Sequence, residues 1–275
     1  MIQIMLDNSK KVYFASDFHL GYPDENEKKH QHERLICSWL EHIQRDVGHL
    51  FLVGDIFDLW FEYRHVVPKG FIRFLGKLAE MRDKNISITI FTGNHDCWMY
   101  DYFTTELGVE IYHQPKSFVI NQKKFYIAHG DALGPGDYFY KFIRTVLFRN
   151  PLAQYLFRTV LPADIGMGLA KAWVRHSYRT KQREPIQFFG EKEWLQLHSK
   201  QIHQTMPHEF YIYGHRHLPM RLKVDFNAWN VNLGDWLNYR TFAVFDGQEL
   251  QLQQWNGTFA IAFEKNFHEF NYFSE

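Results

Sequence analysis

The sequence has few cysteines and no long apolar run. Its 275 residues include two cysteines, Cys37 and Cys97, which lie far apart in unlike contexts. This excludes a disulfide scaffold and favours reduced thiols. No run of about 18 apolar residues is present to span a bilayer, and residues 1–10 lack the charged-then-apolar order of a signal peptide. We therefore expect a cytoplasmic protein.

An excess of either charge is also missing, because 31 Lys and Arg residues balance 31 Asp and Glu residues. Nothing global therefore indicates a nucleic-acid partner. Locally the balance differs: from Leu133 to Gly190, nine basic residues stand against three acidic ones, interleaved with aromatic and aliphatic residues. Such a segment suits an anionic, partly apolar ligand or a membrane surface. Helices that pack on the body with a solvated basic face would have the same composition.

One pattern occurs five times: a strand-like apolar run that ends in Asp, Asn or His. The clearest run is Phe51–Leu59, in which Gly54 ends the apolar residues and Asp55 and Asp58 follow. The other runs end at Asp17 and His19, at Asn94 and His95, at His129, and at His215 and His217. One such ending is ordinary turn chemistry. Five of them predict a single metal centre, since sites in open α/β sheets lie beyond the carboxyl ends of the strands.

Alternating helix and strand patterns predict a layered α/β sandwich. The length allows one large domain or a domain with an insert. We expect residues 1–132 and 191–275 to form the core, and residues 133–190 to form short helices inserted as a lid above the metal centre. The strands 241–245 and 250–255 are expected to complete a second sheet.

The candidate ligands could hold two divalent ions if the Asp55 carboxylate bridges them. The set comprises Asp17, His19, Asp55, Asn94, His129, His215 and His217. Oxygen and imidazole ligands without thiolate favour Mn²⁺, with Fe or Zn²⁺ as alternatives. Two ions about 3.5–4 Å apart can activate water and clamp both oxygens of an in-line displacement at phosphorus. The implied reaction is hydrolysis of a phosphoester or phosphoanhydride.

The ordered motifs resemble the calcineurin-like metallophosphoesterase superfamily. They are Asp17-x-His19, Gly54-Asp55-x-x-Asp58, Gly93-Asn94-His95-Asp96, His129-Gly130-Asp131 and Gly214-His215-x-His217. The resemblance implies a two-sheet αββα sandwich with an inserted helical lid. It also implies that one ion is held by Asp17, His19, Asp55 and His217, and the other by Asp55, Asn94, His129 and His215. In that superfamily the His after the metal-binding Asn, here His95, assists the phosphate and leaving group, paired with the acidic residue at Asp58. Asp96 and Asp131 are expected to brace loops or ligand imidazoles.

The fourth motif continues as His129-Gly130-Asp131-x-Leu133, and the insert then has Asp137-x-x-Tyr140, Arg144 and Arg175-x-Ser177. This pattern is similar to that of the UDP-2,3-diacylglucosamine diphosphatases of lipid A synthesis. These enzymes cleave the diphosphate at the α phosphorus, giving UMP and an acylated sugar phosphate, and their lid holds the acyl chains. The resemblance implies a lipid-linked nucleotide-sugar substrate and peripheral association with the inner membrane. It implies substrate contacts by Asn94, His95, Asp137, Tyr140, Arg144, Arg175 and Ser177. The well-known branch carries Arg where this chain has His95, so the branch stays open.

Two other functions remain open from the sequence. The first is a metallophosphoesterase that acts on a soluble phosphodiester or phosphoprotein, which would not require an apolar lid. The second is a non-catalytic interaction module on the same fold, which would have no need of a full ligand set together with His95 and Asp58. The oligomeric state is not indicated by any sequence feature.

Overall fold

The structure is a computed structural model, and it describes residues 1–7, 9–22, 25–136, 138–181 and 187–263. The strands are β1 (Ile2–Ile4), β2 (Lys11–Ala15), β3 (Val47–Val53), β4 (Ser87–Phe91), β5 (Glu110–Tyr112), β6 (Lys116–Ile120), β7 (Lys123–Ile127), β8 (Phe210–Tyr213), β9 (Met220–Asp225), β10 (Ala228–Asn232), β11 (Thr241–Phe245), β12 (Leu250–Trp255) and β13 (Ala260–Ala262). The helices are α1 (Asn26–Ile43), α2 (Ile72–Asp83), α3 (Tyr102–Leu107), α4 (Tyr138–Ile143), α5 (Pro151–Val160), α6 (Ala163–Lys181) and α7 (Trp194–Thr205).

The strands form two sheets that pack face to face. One sheet has seven strands in the order β13-β12-β11-β2-β3-β4-β5, and the other has six in the order β1-β6-β7-β8-β10-β9. Helices α1, α2 and α3 cover the outer face of the seven-stranded sheet, and α7 covers the outer face of the six-stranded sheet. The predicted αββα sandwich is therefore confirmed.

Aromatic side chains fill the space between the sheets. The ring of Phe14 in β2 stacks on Phe51 in β3 at 5.1 Å and on Phe125 in β7 at 5.7 Å, between ring centroids. All three side chains are fully buried. Strands buried on both faces read as continuous apolar runs, which is why β2, β3 and β4 lack the alternation of a surface strand. This packing sets the distance between the two sheets.

The two strands near the carboxyl end do not lie where the sequence pattern places them. We expect β11 and β12 in the second sheet, but β11 pairs antiparallel with β2 and β12 extends that seven-stranded sheet. The expectation is wrong because strand order depends on long-range pairing. Register puts Ala243 opposite Phe14, and no local feature of the chain encodes that partner.

The segment from 138 to 181 is helical and lies on the loops that follow β3 and β4. The ring of Phe157 in α5 lies 5.1 Å from Phe61 and 5.2 Å from Trp98. The indole Nε1 of Trp98 donates a hydrogen bond of 2.8 Å to the Phe148 carbonyl. Arg158 stacks over Tyr100 at 4.2 Å. These contacts place the helices next to the carboxyl ends of the motif strands.

Cys37 and Cys97 are both free thiols, as the sequence predicts. Among the helices of the described ranges, none combines the length and apolar character needed to cross a bilayer.

Candidate active site

The five motif loops meet where the carboxyl edges of the two sheets come together. The loops after β2, β3 and β4 come from the larger sheet, and those after β7 and β8 come from the smaller one. Within each sheet, backbone hydrogen bonds join neighbouring loops: Asp17 N–H donates to the Gly54 carbonyl at 3.0 Å, and Gly214 N–H donates to the His129 carbonyl at 2.9 Å. Across the sheets, His215 N–H donates to the Asp17 carboxylate at 3.0 Å. The predicted ligands are therefore brought together from both sheets.

Five of the seven predicted ligands have left-handed backbone conformations. Their φ angles are 53° for Asp17, 47° for His19, 51° for Asp55, 66° for His215 and 53° for His217. A side chain other than glycine in this region costs free energy, so such residues persist only where the surroundings hold them. Five such residues in one place indicate that the loops accept backbone strain in order to bring the ligand side chains together.

Gly93 allows the closest approach in the site. A Cβ atom added at Gly93 would lie 2.2 Å from Asp55 Oδ1 and 2.6 Å from Asp55 N. The Gly93 N–H also donates a hydrogen bond of 2.7 Å to Asp96 Oδ1. Only glycine lets the third motif loop pass directly against the Asp55 carboxylate.

The first group of ligands is compact. Asp17, His19, Asp55 and His217 each offer a ligand atom, and these atoms all lie within 4.8 Å of one another. The Nε2 atoms of His19 and His217 are 3.3 Å apart, and His217 Nε2 is also 3.3 Å from Asp17 Oδ1. This is the set that the family resemblance assigns to one ion.

The second group is adjacent and shares Asp55. His129 Nε2 lies 3.3 Å from Asp55 Oδ2, and His215 Nδ1 lies 3.0 Å from Asn94 Oδ1. The rings of His129 and His215 are 5.3 Å apart between centroids. All seven predicted ligands thus line one space, with Asp55 between the two groups.

Buried carboxylates control the electrostatics of this space. Burial opposes the charge of Asp55, but the imidazoles of His129 and His95 hold the pKa of Asp55 well below its usual value. Burial likewise opposes protonation of His129, yet the Asp55 carboxylate raises the pKa of His129 to about 10. The pKa of His19 is raised well above its usual value against its burial, by hydrogen bonds to Asp17 and Asp58. The carboxylates therefore draw positive charge into the site.

The residues present fit divalent cations. Asp17 and Asp55 are almost completely buried, and their ion pairs within the described ranges are with histidines. His129 donates through Nδ1 to the Val53 carbonyl at 2.9 Å, which turns Nε2 toward Asp55. That buried Nε2 makes no hydrogen bond in the part of the chain that the structure describes. Buried charges require pairing or metal coordination, and carboxylate, amide oxygen and imidazole are suitable ligands.

A curated relative decides the family. UDP-2,3-diacylglucosamine hydrolase from Porphyromonas gingivalis is 38% identical over 259 residues, which cover 88% of this chain and 97% of the relative. This chain belongs to the UDP-2,3-diacylglucosamine hydrolase family. It is therefore a hydrolase, in accord with the prediction from the motifs.

More distant relatives carry the same name. Those from Ectopseudomonas mendocina and Pseudomonas fluorescens are 27% and 26% identical, covering 82% and 88% of this chain and 90% and 94% of the relatives. No protein-family model matches the chain. Among solved structures, Vps29 from Cryptosporidium parvum aligns over 93% of this chain and 96% of that chain, with 12% identity and a TM-score of 0.44. That likeness is too low to carry functional information.

The His95 ring is hydrogen-bonded to the backbone of the second motif loop. Its Nδ1 donates to the Asp58 carbonyl at 2.8 Å, and the Asp58 carboxylate lies farther away, at 3.9 Å. That carboxylate is closer to His19 Nδ1, at 3.4 Å. Burial lowers the pKa of His95. Asp58 therefore orients two imidazoles, one through its carbonyl and one through its carboxylate.

Two further carboxylates support the ligands. Asp96, which is fully buried, accepts hydrogen bonds from Gly93 N–H at 2.7 Å and from Ile56 N–H at 2.8 Å, joining the second and third motif loops. Asp235 Oδ2 lies 3.2 Å from His217 Nδ1 and so orients that ring. Sequence reasoning gave no role to Asp235. The available signal was its position just after β10 in Gly234-Asp235, the same pattern that marks Asp55.

A cavity of about 480 Å³ lies between α6 and the body, next to the site. Asp58 and Leu20 line its end toward the ligands. Its apolar walls include Phe61, Val67, Phe71, Met167 and Val174, and its cations are Lys29, Lys69, Lys171 and Arg175. The apolar and basic character that the insert shows in sequence is thus present beside the ligands.

The structure places the predicted substrate-binding residues unevenly. Arg175 lines the cavity. Arg144 instead pairs with Asp131, with 2.6 Å between Nε and Oδ2, and so ties the insert to the fourth motif. Asp137 lies outside the described residues, as do the side chains of Tyr140 and Ser177. Direct substrate contacts by these residues remain predictions.

Gly93→Ala should weaken metal binding. The added methyl group would collide with the Asp55 carboxylate and displace it, and we expect a loss of about tenfold or more in Mn²⁺ affinity, the scale at which displaced ligand geometry acts. Isothermal titration calorimetry measures this change in Mn²⁺ affinity. Gly76→Ala in α2 is the matched control, because nothing lies within 4 Å of its added Cβ. Equal affinity in both variants would contradict the close-approach role of Gly93.

Proposed function

We propose that this protein hydrolyses the diphosphate bond of UDP-2,3-diacylglucosamine, giving UMP and 2,3-diacylglucosamine 1-phosphate. The observation that carries the proposal is the cluster of predicted ligands beside a cavity with apolar walls and four cations among its lining residues. The family relationship supports the same substrate, since the relatives are named for it. A soluble phosphodiester would have no use for the apolar cavity, and an interaction module would have no use for the buried ligands.

The cavity suits a substrate that is both charged and greasy. Its apolar walls can take acyl chains, because their burial removes apolar surface from water. Lys69, Lys171 and Arg175 can receive anionic oxygens. Asp58 and Leu20 line the end of the cavity toward the ligands. A UDP-sugar whose acyl chains occupy the cavity would therefore have its diphosphate near Asp55.

The proposed roles of the ligand residues follow from their grouping. Asp17, His19, Asp55 and His217 would hold one ion, and Asp55, Asn94, His129 and His215 the other. Two divalent ions, for which we propose Mn²⁺, would supply Lewis-acid stabilisation of the phosphoryl oxygens and an activated water. Hydrogen bonds already orient two of the imidazoles for this role. His129 Nδ1 donates to Val53 and His217 Nδ1 faces Asp235, so each Nε2 faces the carboxylates.

His95 is proposed as the residue that stabilises the phosphate and the leaving group. Its Nδ1 is used by the Asp58 carbonyl, so Nε2 is the ring nitrogen that we assign to the substrate. Burial lowers the pKa of His95, while an adjacent diphosphate would favour the protonated ring by its negative charge. A proton on Nε2 then serves the developing charge on the leaving oxygen.

We also propose that the insert attaches the enzyme peripherally to the inner face of the cytoplasmic membrane. In α5, Leu152, Tyr155, Leu156 and Val160 share one helical face and are 50–70% exposed. In α6, Ile165, Leu169 and Trp173 recur every four residues and are 54–60% exposed. An exposed apolar surface in a basic segment suits an anionic lipid surface, and the two acyl chains of the proposed substrate would favour the same surface.

The products test the reaction directly. Purified protein with Mn²⁺ and UDP-2,3-diacylglucosamine in ¹⁸O-labelled water should yield UMP by phosphorus NMR, with the label in UMP because the attack is at the α phosphorus. Asp55→Ala should abolish the product and lower bound Mn²⁺, since the shared carboxylate is lost. Asp83→Ala, an exposed change at the end of α2, should not. Label in the sugar phosphate, or an active, fully metallated Asp55→Ala protein, would contradict the proposal.

Arg175→Ala should separate the acylated substrate from a small one. Loss of a cavity cation should reduce kcat/KM for UDP-2,3-diacylglucosamine by about tenfold or more, in the range of one charge-assisted hydrogen bond. Bis(p-nitrophenyl) phosphate, which does not fill the cavity, should be hydrolysed within about twofold of wild type. Arg45→Ala, an exposed arginine just after α1, is the control. Equal losses on both substrates would argue against a substrate-binding cavity.

Liposome flotation tests the membrane surface. Vesicles that contain phosphatidylglycerol should carry the wild-type protein upward in low salt, and added salt should weaken the binding through screening. Leu152→Glu with Leu156→Glu should abolish flotation, because charge is placed on the apolar face of α5. Phe226→Glu, at an exposed turn between β9 and β10, is the matched control. Binding by the α5 variant equal to that of the control would refute this attachment.

A further inference from the structure

Arg216 lies between the proposed ligands His215 and His217, and its side chain contacts the segment that returns from the insert. Its guanidinium donates to both carboxylate oxygens of Glu193, each at 2.8 Å. It donates also to the Gln187 carbonyl at 2.7 Å, and it stacks over the ring of Trp194 at 4.4 Å. One side chain thus joins the fifth motif loop to residues just before and at the start of α7.

The pair is shielded from water. Glu193 is 1% exposed and the Arg216 side chain 9% exposed. Paired hydrogen bonds between guanidinium and carboxylate fix orientation as well as distance. Removal of one partner leaves the other charge buried, so the geometry of the pair is strongly enforced.

Both ends of the insert converge on the same place. At the entry, a Cβ added to Gly134 would lie 2.5 Å from the Trp194 carbonyl oxygen, so the two segments are in close contact. At the exit, Phe189 N–H donates to Glu193 Oε1 at 3.0 Å. The Arg216 side chain therefore contacts Glu193 and Trp194, the two residues that both ends of the insert also contact.

The loop that carries Arg216 needs external support. The residues on either side have φ angles of 66° at His215 and 53° at His217, and Arg216 N–H turns back to the Gly214 carbonyl at 2.7 Å. Two left-handed residues in a three-residue stretch store strain that the surroundings must hold. The hydrogen bonds to Glu193 fix the position of Arg216, which lies between these two residues.

We propose that Arg216 is a positioning residue: through Glu193 and Trp194 it holds the strained loop in the shape that presents His215 and His217 to the metal ions. This inference rests on the metal centre of the proposed function. It assigns to the variable residue of the Gly-His-x-His motif a role that the motif itself does not specify.

Arg216→Met tests the proposal by metal binding rather than by turnover. We expect Mn²⁺ affinity, measured by calorimetry, to fall about tenfold or more, as for residues that orient metal ligands. Arg216→Lys should lie between Arg216→Met and wild type, since it keeps the charge but not the paired hydrogen bonds. Arg221→Met is the matched control. Arg221 in β9 also stacks on a tryptophan, Trp229 in β10, at 4.2 Å, but it lies outside the motif loop. Wild-type affinity in Arg216→Met would overturn the inference.

Hydrogen exchange gives a second readout. Arg216→Met should speed amide exchange in residues 187–193 and 214–217, and Arg221→Met should not. If Arg216→Met does not fold by circular dichroism, Arg216→Lys and Glu193→Gln decide: wild-type Mn²⁺ affinity and exchange in both would overturn the proposal. A wild-type protein that binds no Mn²⁺ overturns the proposed metal centre and this inference with it. A metal-binding wild type matched by the variants overturns the inference alone.

Discussion

Two carboxylates removed from water, those of Asp17 and Asp55, impose the constraint on which the site depends. A buried anion must find positive charge or hydrogen-bond donors. The structure supplies both: His215 N–H binds Asp17, His95 N–H binds Asp55, and imidazoles surround the pair. The pKa values of His19 and His129 rise in response. Divalent cations would neutralise the same carboxylates with more charge. The chemical types of the ligands and the negative charge of the site therefore both favour cation binding.

Meeting this demand requires residues from both sheets. The aromatic layer around Phe14, Phe51 and Phe125 holds the sheets face to face, and their carboxyl edges come together above it. The loops accept backbone strain in bringing their side chains to one point, as the left-handed φ angles of the ligands show. Hydrogen bonds that the Asp96 and Asp235 carboxylates accept from neighbouring loops stabilise those conformations.

The division between chemistry and selectivity follows the architecture. The sandwich carries the ligands, and carboxylate and imidazole ligands of this kind suit phosphoryl chemistry on many substrates. The helical insert stands on the loops after β3 and β4, through Phe157 and Trp98, and closes a cavity of apolar walls and cations next to Asp58. The cavity that we propose for the acylated substrate is therefore lined by the insert on one side and by the sandwich on the other, and it lies next to the ligands in space.

Much of the candidate site could be predicted because local sequence patterns mark it. A buried strand must be apolar, and the residue that ends it must tolerate a turn, so Asp17, Asp55, Asn94 and His129 stand out in the sequence. The αββα class follows from the same alternation. Local patterns do not specify which strands pair, however, so they do not predict that β11 lies beside β2.

The sequence by itself determined the chemical types of the ligands, their order and the basic, apolar nature of the insert. Only the tertiary structure decided their partners. Asp235 orients His217, Asp131 binds Arg144, and the carbonyl of Asp58, nearer than its carboxylate, holds His95. The physical reason is that a strand ending is encoded by neighbours a few residues away, whereas His215 meets Asp17 across 198 positions. Contacts of that kind exist only once two sheets have packed on a shared core.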